Sequence, residues 1–332
     1  MPVPTDKSAS SSYRSQQATI ASLSLLEKLD TIPALLTVDP TDTAYLAFCK
    51  SAKVEPKSEV LSDGTLAHWI GEPGAGRVVV NFHGGGYCFP AGKDMFAFMH
   101  ALIKPIPDTA CLFLSYDLAP GAPYPRQLQQ ASMLMNHILT TLSISPQNII
   151  LTGDSAGANL VLALLSHISH PHPGLGSVQI PKVEMEGKFR GAVLISPWVD
   201  FSTDDKSFQT NKLKDCLGAD SGTQWSSAFL DSAPHDYYNE ASTAPASWWA
   251  DLQVENIFVV AGEEEVLVDG IRRFVGTLEK GMVEGDSGGK VEFLCVQGEY
   301  HDQPALDLMF GYGEGDEGVQ AKAVKGWVRS KL

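Results

Sequence analysis

The stretch Gly153-Asp154-Ser155-Ala156-Gly157 does most to limit what this chain can fold into. An apolar run, 148–152, precedes it, and a second, 160–165, follows it. The pattern reads as strand, tight turn, helix. Glycines on either side of Ser155 let the backbone bend sharply enough to lift the hydroxyl above the sheet edge. A helix that starts there directs backbone N–H groups, and the positive end of its dipole, at any negative charge forming beside Ser155.

A second glycine motif lies upstream. The apolar run 77–82 reads as a buried strand and leads directly into His83-Gly84-Gly85-Gly86-Tyr87. Attack on an ester or amide carbonyl builds an oxyanion, and preorganised N–H donors stabilise it. Glycines allow a backbone to approach a reacting carbonyl because no Cβ intervenes. We expect the N–H groups of Gly84, Gly85 and Ala156 to form such a hole, with Gly86 a further candidate. His83 is expected to brace the loop through its ring. No second histidine, cysteine or carboxylate stands nearby at metal-ligand spacing.

Elsewhere strand-like runs alternate with helical ones, which predicts one mostly parallel sheet covered on both faces. The 332 residues read as a single domain, 1–332. A formal net charge of −15, from 24 basic and 39 acidic residues, opposes binding to nucleic acid. Five cysteines without regular spacing fit buried thiols in a reducing compartment. Residues 1–17 are polar and serine-rich, without the apolar core of a signal peptide, and no stretch reaches membrane-spanning length. The expected setting is therefore cytoplasmic. His167, His170 and His172 read as a solvated loop, not a metal site. No dinucleotide or phosphate-loop motif occurs, so no cofactor is expected.

Taken in order, the motifs resemble the hormone-sensitive-lipase-type carboxylesterase branch of the α/β-hydrolase superfamily. The resemblance rests on 83–86, on Tyr116-Asp117-Leu118-Ala119-Pro120 with Tyr124-Pro125, and on 153–157. It continues through 195–200 and Trp248-Trp249. It implies an α/β-hydrolase fold: a mostly parallel eight-stranded sheet flanked by helices, with a helical cap built from about 15–52 and 200–250. Asp117 stands where the family usually has arginine, Gly121 where it has glutamate, and Ala158 where it has glycine.

The resemblance also implies a triad in the chain order serine, acid, histidine. Its acid position, three residues after the glycine that ends the strand 255–261, holds Glu265; Asp269 is the second choice. The last apolar strand, 291–296, is followed by His301, where the general base belongs. The expected catalytic set is Ser155, Glu265 and His301. Gly86, Tyr87, Cys88, Asp154 and Trp198 are expected to contact substrate. Aromatic residues of 225–249 are expected to supply an apolar wall near Ser155. The implied activity is hydrolysis of a small ester-like molecule. An amide, formamide or lactone hydrolase or a metabolite-tailoring enzyme with the same triad, and a non-catalytic small-molecule receptor of the same fold, are the alternatives. The resemblance also allows a homodimer through the last strand or its helix.

Overall fold

Apolar runs too short for helices, each bounded by turn residues, become strands with both faces covered. The computed structural model describes residues 39–285, 288–313 and 315–332. Its strands are β1 (Ser58–Val60), β2 (Leu66–Ile70), β3 (Arg77–Phe82), β4 (Thr109–Ser115), β5 (Ile149–Asp154), β6 (Gly191–Ile195), β7 (Asn256–Gly262) and β8 (Lys290–Val296). They form one sheet in the order β1-β2-β4-β3-β5-β6-β7-β8. β1 pairs antiparallel with β2, and β2 with β4. From β4 to β8 every pairing is parallel. The expected sheet is borne out.

Because side chains alternate along a strand, the sheet divides the core in two. Val78, Val80, Leu112, Leu151 and Leu194 face one cluster, shared with helices α3 (Arg126–Asn136), α4 (Ala156–Ser169) and α7 (Val268–Glu284). Val79, Cys111, Ile150, Val193 and Val260 face the other. There they meet α1 (Thr41–Ala52), α2 (Lys93–Ile103) and the C-terminal helix Val319–Lys331. Helix α4 is apolar on almost every side, as suits a helix buried against the sheet centre. A Cβ on Gly157 would lie 1.9 Å from the carbonyl oxygen of Phe82, so α4 can sit this close to β3 only with glycine there.

The segment between β6 and β7 holds α5 (Lys206–Thr210), α6 (Ala219–Leu230) and two short turns ending at Trp249. From it Phe208, Leu217 and Trp225, in the stretch expected to form the cap, share a pocket with Ser155. The other expected cap piece is described only in part. Residues 15–38 lie outside the described residues, and α1 packs on the α2 face, where Tyr45 donates to the carbonyl of Trp69 at 2.8 Å. Asp117 pairs with Arg126 at 2.8 Å, and Arg126 also reaches Asp63. A charge pair therefore persists where the family arginine is missing.

Candidate active site

Parallel strands end on the same side, so the loops after β3, β5, β6, β7 and β8 converge at one edge of the sheet. Ser155 follows β5 directly, with φ +49° and ψ −115°. Such a conformation costs on the order of 1–3 kcal/mol for a non-glycine residue and persists only when its surroundings fix it. Here its N–H donates to Ile195 at 2.9 Å, and its carbonyl accepts from Asn159 and Trp198, both at 3.1 Å. The serine is 4% exposed.

Asn159, one helical turn further on, was not singled out from the sequence. Its amide donates to the carbonyls of Trp198 (2.8 Å) and Asn239 (2.9 Å) and accepts from the Tyr87 hydroxyl (2.7 Å). It thus ties the elbow to the β6 exit, the cap segment and the glycine loop. A buried asparagine inside a helix is the signal that could have found it.

The glycine loop is braced from below. His83 donates from Nδ1 to the carbonyl of Gly84 at 2.7 Å, and its ring stacks on Tyr116 at 4.1 Å. Burial pulls its pKa down to about 4, so the ring is neutral at physiological pH. The assignment of Gly84 to the oxyanion hole needs correcting. Its N–H donates to Asp154 Oδ2 at 2.9 Å and is already spent. The N–H groups of Gly85, Gly86 and Ala156 make no hydrogen bond among the described residues. Gly86 has φ +59°, and a Cβ there would lie 2.4 Å from the Trp225 indole. The cap therefore rests directly on this loop.

His301 is buried on the loop after β8. Its Nδ1 lies 3.3 Å from Glu265 Oε2, and its Nε2 lies 3.2 Å from Asp302 Oδ2. Its backbone N–H donates to Asp215 Oδ1 at 3.2 Å, while Asp215 Oδ2 accepts from Val266 at 2.6 Å. Asp215 thereby fixes the two loops to each other from the cap. Burial lowers the imidazole pKa, but the carboxylates of Asp302 and Glu265 outweigh it and hold the value well above the usual histidine range. Burial pushes Glu265 up to about 7, against the pull of His301. No hydrogen bond joins Ser155 Oγ to His301 among the described residues. Asp269 accepts from the Ser207 N–H at 2.9 Å and does not pair with His301.

A narrow apolar pocket opens at Ser155. Trp198, Phe208, Leu217, Gly218, Gly222, Trp225, Val266 and Leu267 line it. Of the expected substrate contacts, Trp198 lines this pocket and Gly86 lies under its Trp225 wall. The others lie elsewhere. Tyr87 is committed to Asn159 and stacks on Phe229 at 3.9 Å; Cys88 is buried outside the pocket; Asp154 holds Gly84 and lines a separate cavity. The three histidines read as solvated are also corrected. His167 and His172 are buried, His167 joined to Pro181 and His172 to Tyr124, and His170 stacks on Trp248. Ring hydrogen bonds to carbonyls and hydroxyls bury a histidine even in a polar stretch.

A serine on a strained strand-to-helix turn, at the carboxyl edge of a largely parallel sheet, marks a hydrolase-type nucleophile elbow in its structural context. Residues 79–304 match the family described as alpha/beta hydrolase fold, and the chain belongs to that family. Among characterised proteins it is similar to arylacetamide deacetylase-like 2 of Homo sapiens. The two are 32% identical over 100 residues, which are 28% of this chain and 25% of that protein. It is also similar to an esterase of Acinetobacter venetianus, 26% identical over 71% of this chain and 70% of the relative. The chain therefore spans only a quarter of the human protein's length. Its fold matches the crystal structure of an esterase from the bacterial hormone-sensitive lipase family. The TM-score is 0.68 at 19% identity, covering 95% of this chain and 97% of that one. Among the described residues no helix is long and apolar enough to cross a membrane.

Proposed function

We propose that this chain is a serine carboxylesterase that cleaves short-chain esters by a Ser155–His301–Glu265 triad through an acyl-enzyme. The observation that carries the reading is the buried His301–Glu265 pair on the loops after β7 and β8, with His301 near enough to act on the charge of Asp154, the residue before Ser155. A serine hydroxyl is a weak nucleophile near neutral pH and needs a base held by a carboxylate. His301 takes the Ser155 proton at Nε2 while Glu265 holds Nδ1–H. The alkoxide attacks the ester carbonyl, and the oxyanion meets the N–H groups of Gly85, Gly86 and Ala156. His301 returns the proton to the leaving alcohol, and water then releases the acyl group by the same steps.

The apolar pocket behind Ser155, walled by Phe208, Leu217 and Trp225, suits a small acyl group. The names of the relatives, an esterase and a deacetylase-like protein, agree with such a substrate. A receptor role is disfavoured because it requires no acid–imidazole pair.

Ser155→Ala tests the reading. Hydrolysis of p-nitrophenyl acetate should fall by on the order of 10⁶ in kcat. Glu265→Gln should remove most of the activity, and Asp269→Asn should leave it. Full turnover in Ser155→Ala would end the proposal.

A further inference from the structure

Both ring nitrogens of His301 face carboxylates, Glu265 at Nδ1 and Asp302 at Nε2. Ionised carboxylates beside both nitrogens favour a ring that keeps a proton on each, the cation. A cation has no lone pair to take a proton from serine. We propose that Asp302 is a positioning residue that latches His301 at rest, its carboxylate occupying the nitrogen that must accept the Ser155 proton. The latch rests on the role of His301 proposed above.

The placement of Asp302 is specific. Its backbone is left-handed, φ +51° and ψ +31°, and its N–H donates to Ser196 Oγ at 3.3 Å. It stands at the start of the helix Gln303–Met309. Its Oδ1 is buried with no hydrogen-bond partner. Asp302 also lines a cavity with Asn81, Asp154, Met99, Ile195 and Ala305.

Four carboxylates face the imidazole region, one from each packed element: Glu265 after β7, Asp302 after β8, Asp154 at the end of β5 and Asp215 from the cap. Among the described residues no lysine or arginine pairs with any of them. Burial first, and then the neighbouring Asp302, holds Asp154 well above the carboxylate range. Release of the latch moves one proton. Asp302 turns into the cavity, the Nε2 proton passes to solvent, and the neutral ring keeps Nδ1–H on Glu265 with its Nε2 lone pair free for Ser155.

The test uses Asp302→Asn and Asp302→Gly, since asparagine and glycine both tolerate a left-handed backbone. The acid limb of kcat/KM should move down by about one pH unit or more, a gain of about tenfold at a pH one unit below the wild-type limb. Ring ¹⁵N spectra, with His301→Gln for assignment, provide a readout that does not need turnover. Wild-type His301 should carry protons on both nitrogens at neutral pH, and the variants should lose the Nε2 proton there. Coincident acid limbs, or a neutral wild-type ring, would overturn the latch while Ser155 still reacts with a fluorophosphonate. An inert Ser155 whose neighbouring ring nevertheless shifts as stated would overturn the esterase reading and support the effect of Asp302 on the ring.

Discussion

The Tyr87 hydroxyl donates to the side-chain carbonyl of Asn159 over 2.7 Å, joining the glycine loop to the first turn of the helix that carries Ser155. Both residues are almost wholly buried. The bond sets the distance between the N–H groups of the loop and the N–H of Ala156, and any oxyanion hole here depends on that distance.

Tyr87→Phe leaves the Asn159 oxygen buried and unpaired, at a cost of about 1–3 kcal/mol. Urea unfolding should show that loss, and kcat for a short ester should drop while the serine stays reactive. Unchanged stability would mean that the bond holds nothing in place.

Trp225 walls the Ser155 pocket and presses on Gly86. Trp225→Ala should open the pocket and shift the preference from acetate toward longer acyl chains. One methylene in an apolar pocket is worth about 1–3 kcal/mol, so the ratio of hexanoate to acetate kcat/KM should rise at least about tenfold. An unaltered ratio in a series of p-nitrophenyl esters would remove Trp225 as the limit.

His83 predicts an acid-sensitive fold. Burial lowers its pKa from 6.5 to about 4. Between those values the unfolded chain binds more protons than the folded one. Its contribution is therefore full above pH 6.5 and is lost as pH falls toward 4, by roughly 3 kcal/mol at most. His83→Phe keeps the stacking on Tyr116, and its urea midpoint should fall less between pH 7 and pH 5 than that of the wild type. Parallel losses in the two proteins would contradict the assignment.

The strands, the elbow and the loops bearing Glu265 and His301 were legible because local pattern carries them. Apolar runs with turn residues at their ends mark the strands, and glycines around Ser155 permit the sharp bend of an elbow. The cap aromatics were legible as a group, but their separate duties were not. Trp225 walls the pocket, while Phe229 stacks on Tyr87 and Trp249 meets Phe274 edge to face. An aromatic residue looks alike in sequence whether it packs or lines a pocket.

By itself, the sequence determined where the chain turns, which runs are buried and which reactive side chains end the strands, since these follow from neighbours along the chain. Tertiary structure alone decided that Gly84 is bound to Asp154, that Asn159 ties four segments together and that Asp302 sits on His301. Each of the three depends on how a buried side chain is oriented and on the partners brought within about 3 Å of it. Such partners come from segments remote in sequence, or, as with Asp302, from a neighbour that a left-handed backbone holds against the ring. No periodicity records either arrangement.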